Sequence, residues 1–115
     1  EKFHIPMIWF GGALKDIYKG SQMAKYSSHI DITPTILRQM DIHVDDDYFG
    51  VDIFAEGAGF VPYCFMRGYG MIKQNDNLAY SITYEKFIEN NFQDSSIIYE
   101  SEMFLQHAFD KYLSY

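Results

Sequence analysis

The chain has 115 residues, of which 48% are hydrophobic, 18% aromatic and 22% charged. This is enough for one packed domain or a part of a larger one, and the composition is too apolar for a disordered segment. Nine Lys and Arg against 16 Asp and Glu give a net charge of −7, which argues against a nucleic-acid partner. No apolar run approaches the ~20 residues of a bilayer span and no targeting signal is visible, while a single cysteine, Cys64, excludes an internal disulfide and a multi-cysteine metal site.

The first predicted element is a strand buried on both faces, over residues 5–10. It lies within a continuous apolar run, Phe3–Phe10, that Gly11 and Gly12 close. Because proteins seldom begin in the middle of a core, we expect this chain to be the C-terminal portion of a longer protein.

A short helix is predicted over residues 33–40. Thr33 as its N-cap would place Pro34 at the favoured first helical position. Three apolar side chains then share one face: Ile36, Leu37 and Met40. The residues before it, 13–29, read as a surface connection, and 41–47 as an acidic one.

An antiparallel meander of three or four strands is predicted between residues 60 and 90, because the hydrophobic period changes towards two after Gly59. The aromatic and β-branched runs are Phe60–Met66, Tyr69–Lys73, Leu78–Tyr84 and Phe87–Ile88. The turn-like breaks between them are Arg67-Gly68, Asn75-Asp76-Asn77 and Glu85-Lys86.

A terminal helix is predicted to start at Asp94-Ser95-Ser96 and to run to about Tyr112. Its amphipathic stripe has the spacing i, i+3, i+4 and i+7 and comprises Leu105, Ala108, Phe109 and Tyr112. For the aromatic side chains as a group, core packing is favoured over a sugar-binding platform. The chain itself is therefore predicted to be α+β.

The histidines and carboxylates each have a structural explanation beside a functional one. His4 could serve a metal or a reaction, but a hydrogen-bonded structural histidine is the simpler interpretation. His29 and Asp31 could meet in a site, yet helix capping by Asp31 explains that residue.

The acidic connection offers a second candidate site. His43 with Asp45, Asp46 and Asp47 could bind a hard cation, but it lacks the glycine and distal Glu of a calcium loop, so a solvated loop is favoured. Cys64, in an apolar strand, is predicted to be buried and unreactive. No catalytic, cofactor-binding or metal-ligating residue is therefore assigned within this chain.

Four segments, in order, resemble the sulfatase family of the alkaline phosphatase superfamily. His4–Gly12 resembles the strand that follows the family's metal-binding Asp-His-Gly motif, and Ser28–Leu37 its later Asp-Ile/Leu-x-Pro-Thr-Leu-Leu helix. Tyr48–Phe54 is similar to the segment after that helix. Tyr63–Met71 and the terminal helix resemble the tail of the branch that includes lipoteichoic acid synthase, phosphoglycerol transferases and phosphoethanolamine transferases. His29 departs from the family pattern.

The resemblance implies the C-terminal part of an alkaline-phosphatase-like α/β sandwich. Residues 1–54 would supply the last strand and helix of the main domain, and 55–115 a subdomain of antiparallel sheet plus helix. It implies a Thr, Ser or formylglycine nucleophile activated by a divalent metal (Mn, Mg, Ca or Zn) and attacking a sulfate or phosphate ester. These groups would lie upstream of Glu1, so the isolated chain is expected to be inactive.

Expected partners and location follow from the same resemblance. The partner is the remainder of the sulfatase-like domain, with a homodimer through an exposed strand edge when that remainder is missing. The parent protein is expected in a bacterial inner membrane with an extracytoplasmic catalytic domain. The alternative from a different class is a non-enzymatic, aromatic-rich α+β binding or interaction module.

Overall fold

The computed structural model describes residues 5–43, 49–57, 59–74 and 76–114. It is an α+β arrangement, as predicted, in which a short helix precedes a four-stranded antiparallel sheet and a long helix follows it. The elements in chain order are the 3₁₀ turns Asp16–Tyr18 and His29–Asp31, α1 (Ile32–Gln39), β1 (Phe60–Phe65), β2 (Gly68–Lys73), β3 (Asp76–Ser81), β4 (Lys86–Asn90) and α2 (Ser96–Leu113). Within the described ranges, neither helix combines the length and apolar character needed to cross a bilayer.

The sheet is a simple meander with strand order β1-β2-β3-β4, which confirms the predicted architecture between residues 60 and 90. Its turns are displaced from the predicted ones. Arg67, Gln74 and Glu85 take positive φ angles of 62°, 57° and 51° and reverse the chain. Gly68 is therefore the first residue of β2 and pairs with Phe65.

The predicted turn at Asn75-Asp76-Asn77 is wrong at its last two residues, and Asn75 lies outside the described residues. Asp76 and Asn77 belong to β3 and pair with Lys73 and Ile72. The third strand ends at Ser81 rather than Tyr84, because residues 82–85 form the turn into β4.

The hydrophobic core lies between the sheet and α2. Met71 and Leu78 face each other across β2 and β3, and Ile97 of α2 packs on them. All three side chains are almost completely inaccessible to solvent. Partly buried apolar side chains surround this centre: Phe60, Phe87, Phe92, Ile98 and Phe104.

On the opposite face of the sheet, two aromatic rings of β1 lie flat over glycines of β2. A Cβ atom on Gly70 would come within 2.3 Å of the Tyr63 ring, and one on Gly68 within 2.2 Å of the Phe65 ring. The hydroxyl of Tyr63 donates to Asn77 Oδ1 at 2.7 Å. The glycines thus make room for aromatic packing that supports the edge strand from outside.

The prediction of a buried strand over residues 5–10 is wrong for this structure. The segment is neither helix nor strand, and Ile5, Ile8 and Phe10 are 59%, 80% and 90% exposed. The single sheet of the described residues contains only β1 to β4, so no strand lies alongside the segment to satisfy its backbone. Only Trp9 finds a ring partner, Phe54, at 6.2 Å between centroids.

The predicted packing of the terminal stripe is also wrong. Ile97 and Ser101 are the buried residues of α2, with Phe104 packed beside them. Leu105, Phe109 and Tyr112 are 42%, 55% and 76% exposed, while Ala108 is half-buried. The helix carries two adjacent apolar stripes, and the sheet takes the one that meets Met71, Leu78 and Phe60.

The predicted start of the terminal helix is confirmed, and it gives a pH dependence. The Ser96 backbone N–H and hydroxyl donate to the Asp94 carboxylate at 2.9 and 2.8 Å, and these bonds lower the pKa of that group. A lowered folded-state pKa contributes stability that is complete above the unfolded Asp value of about 3.9 and is lost as pH falls through the folded value.

We expect Asp94→Ala to lower the unfolding midpoint at neutral pH and to differ less from the parent chain below about pH 4. Thermal unfolding followed by circular dichroism across this range measures the effect. Asp16→Ala is the matched control, since Asp16 is exposed and has only Lys19 as a charge partner. An Asp94→Ala deficit that is constant with pH would contradict the assignment.

Candidate functional site

The most ordered polar arrangement in the described residues is a row of three buried polar side chains on one face of α1. Asp31, Thr35 and Gln39 follow each other at intervals of four, so they lie one above the other along the helix. Their exposed fractions are 3%, 0% and 8%. We call these three residues the polar clamp.

Asp31 joins two distant parts of the chain. One carboxylate oxygen accepts from the backbone N–H of Ser28 and the other from that of Val51, both at 2.8 Å. The predicted capping role is therefore correct in kind but incomplete. The second bond reaches 20 residues along the chain, and it fixes the segment after α1 against the start of the helix.

Thr35 and Gln39 continue the clamp along α1. The Thr35 hydroxyl donates to the Asp31 carbonyl at 2.6 Å and accepts from the Ile53 backbone N–H at 3.0 Å. Gln39 Oε1 accepts from the backbone N–H of Lys15 at 3.1 Å. Each clamp residue thus supplies an acceptor to irregular backbone that has no sheet or helix partner of its own.

The loop held by the clamp is pressed closely onto the helix. A Cβ atom at Gly50 would come within 2.1 Å of the Ile30 carbonyl oxygen, so only glycine fits there. Phe54 of the same loop stacks on Tyr18 with 4.2 Å between ring centroids. Lys25 Nζ donates to the Ala55 carbonyl at 2.9 Å and covers its outer side.

Phe49 connects this region to α2. Its ring centroid lies 5.8 Å from that of Phe104 and 5.1 Å from that of His107, and Lys111 Nζ lies 5.5 Å from it. Phe104 in turn contacts Phe60 of β1. The helix, the loop and the sheet are therefore joined through aromatic contacts.

The clamp is structural in its chemistry. Both carboxylate oxygens of Asp31 accept from the main chain, and the Thr35 hydroxyl both donates and accepts within the chain. Such groups hold geometry rather than abstract protons or attack a substrate. The predicted first helical position of Pro34 is wrong, because α1 begins at Ile32.

The histidine candidates are not brought together in the described part of the chain. His29 is exposed in the turn before α1, and His43 Nδ1 lies 2.6 Å from Arg38. His4 and the acidic residues Asp45, Asp46 and Asp47 lie outside the described residues. Among the residues that are described, no group of three His, Cys, Asp or Glu side chains is placed to hold a metal ion.

Two other side chains differ from their predicted setting. Cys64 is exposed on edge strand β1, so the prediction of a buried thiol is wrong. Asn77, predicted in a turn, instead lies within β3, where its side chain accepts from the Tyr63 hydroxyl and donates to the Glu89 carboxylate. Burial raises the pKa of Tyr63, with the hydrogen bond to Asn77 acting in the opposite direction.

Sequence reasoning found Asp31 and Thr35 only as parts of a helix start, and it missed Gln39. The recoverable signal is the spacing itself, since polar residues at i, i+4 and i+8 of an otherwise amphipathic helix share one face. Comparisons with protein-family models, with curated proteins and with solved structures returned no match to this chain.

Proposed function

We propose that this chain forms the C-terminal portion of a metal-dependent sulfatase-like hydrolase, or of a phosphoglycerol- or phosphoethanolamine-type transferase, acting on sulfate or phosphate esters. The observation that supports this most is the polar clamp. Ser28–Leu37 and Tyr48–Phe54, which resemble consecutive family segments, are tied together by Asp31 to Val51 and Thr35 to Ile53. The Asp and Thr of the Asp-x-x-Pro-Thr resemblance thus have a physical reason to occur together.

In this proposal the described residues act as scaffold. The clamp and its loop position the end of the main domain, while β1 to β4 and α2 wall one side of the cleft. The nucleophile and the ligands of a divalent metal come from the upstream part. When bound, that metal would lower the nucleophile's pKa and neutralise charge on the transferred group.

The test compares the complete reading frame with the 115-residue chain. Each is assayed with p-nitrophenyl phosphate and p-nitrophenyl sulfate, with added Mn²⁺ or Mg²⁺. We expect saturable, chelator-sensitive turnover by the complete protein and none above buffer by the chain, because catalysis needs nucleophile, metal and charge stabilisation in one geometry.

Two outcomes would overturn the proposal. Turnover by the 115-residue chain that is lost on His29→Ala would place the active site within it. A folded complete protein that hydrolyses or transfers neither type of ester would favour the alternative, a non-enzymatic binding module. The exposed apolar side chains of α2 are the observation that speaks for this alternative.

We also propose that the isolated chain associates with itself through residues 5–10. Ile5, Ile8 and Phe10 are exposed there, and an apolar segment with unpaired backbone invites strand pairing. Multi-angle light scattering at rising concentration should show a mass above the 13.5 kDa monomer. Ile8→Lys should reduce that association, with Ile17→Lys as the matched exposed control. A monomer at every concentration would refute it.

A further inference from the structure

The outward side of α2 carries an apolar surface for which the described residues provide no cover. Leu105, Phe109 and Tyr112, which we call the α2 stripe, are spaced i, i+4 and i+7 and so lie side by side. They border a shallow groove of about 380 Å³ lined by Glu102, Leu105, Gln106 and Phe109. Exposed apolar side chains grouped in this way are typical of an interaction surface.

Acidic side chains flank the α2 stripe. Glu102 lines the groove itself, and Asp110, whose carboxylate accepts from Gln106 Nε2 at 2.7 Å, lies one turn beyond it. Lys111 is directed elsewhere, since its Nζ lies over the Phe49 ring at 5.5 Å. Among the described residues of α2, the charge bordering the groove is therefore negative.

We propose that the α2 stripe docks a basic amphipathic helix of a partner protein. The apolar side of such a helix would cover Leu105, Phe109 and Tyr112, and Lys or Arg at its borders would face Glu102 and Asp110. Helix-in-groove recognition needs apolar anchors at i, i+4 and i+7, which is the spacing present here.

The same charges argue against a second copy of this chain as the occupant. Two α2 helices packed through this face would bring Glu102 and Asp110 of one copy beside the same residues of the other, and like charges at an interface are unfavourable. The other described α-helix, α1, offers only one basic residue, Arg38. Self-association through residues 5–10 uses a different surface.

The experiment uses two labelled helical peptides as probes. Both carry leucines at i, i+4 and i+7, and one has lysines and the other glutamates beside them. Fluorescence anisotropy with the 115-residue chain should show that the lysine peptide binds at least about tenfold more tightly and that its binding weakens as salt is raised.

Variants locate the surface. Leu105→Gln and Phe109→Gln should each weaken the lysine peptide about tenfold or more. Met103→Gln, an equally exposed apolar position on another side of α2, should leave it unchanged. Glu102→Lys with Asp110→Lys should reverse the preference between the two peptides. Circular dichroism establishes that each variant remains folded.

Several results would overturn the proposal. These are equal binding of the two peptides, no binding of either, an effect of Met103→Gln as large as that of Leu105→Gln, or self-association that Leu105→Gln abolishes. Loss of lysine-peptide binding in the complete reading frame would also do so, because the stripe would then be covered within one protein. None of these results depends on ester turnover, so they are independent of the proposed enzymatic function.

Discussion

Asp31→Ala is expected to lower the free energy of unfolding by about 3 kcal/mol. The change removes the acceptor of two backbone N–H groups, those of Ser28 and Val51, and leaves them without a partner beside a helix start that is almost inaccessible to solvent. Urea unfolding followed by Trp9 fluorescence measures it, because Trp9 packs on Phe54 of the loop held by the clamp.

The control for this prediction is Asp16→Ala, which removes an exposed carboxylate paired only with Lys19 and should change stability by less than about 0.5 kcal/mol. Asp31→Asn is informative as a second variant, since one side-chain oxygen remains to accept. It should fall between the parent chain and Asp31→Ala. Equal stability of Asp31→Ala and Asp16→Ala would show that the clamp does not hold the loop.

Leu78→Ala is expected to cost about 3 kcal/mol, within the range for a buried leucine whose cavity cannot close. Leu78 has no accessible surface, and it packs on Met71 and Ile97 at the centre of the core. The matched control is Leu113→Ala, the same change at a side chain that is 64% exposed, and it should cost less than about 1 kcal/mol.

Both leucine variants are measured by urea unfolding with circular dichroism at 222 nm, which reports on α2. If Leu113→Ala costs as much as Leu78→Ala, the core does not lie between the sheet and α2 as described. A smaller denaturant slope for Leu78→Ala would instead show that two-state unfolding has been lost.

The sheet and the terminal helix could be predicted from the sequence because their signals are local. Alternation from Phe60 onwards and the breaks at Arg67 and Glu85 locate the strands, and Asp94 with Ser96 locates the helix start. Strand ends move by one or two residues because Arg67 and Gln74 themselves adopt the left-handed conformation.

The errors concern what an element packs against. The run Ile5–Phe10 shows apolar character but cannot show whether a neighbouring strand is present. In α2 two apolar stripes are adjacent, and only the positions of Met71, Leu78 and Phe60 decide that Ile97 and Phe104 are buried while Leu105 is exposed. Periodicity identifies the stripes but does not choose between them.

The polar clamp shows the same limit at the candidate site. Capping by Asp31 is visible locally, because Ser28 is three residues away. The bond to Val51 spans 20 residues and is made by a backbone group, so no side-chain pattern announces it. A buried polar residue with a distant main-chain partner is found from structure, or from the i, i+4, i+8 spacing of Asp31, Thr35 and Gln39.

The most direct test of the central proposal, that this chain completes a metal-dependent sulfatase-like domain, is to determine the coding sequence immediately upstream of Glu1. The proposal predicts an open reading frame that continues upstream and contains an Asp-His-Gly motif shortly before Glu1, in the position from which a metal ligand would precede residues 5–10. A start codon directly before Glu1, or a long upstream frame without that motif, would contradict it and favour an independent binding module.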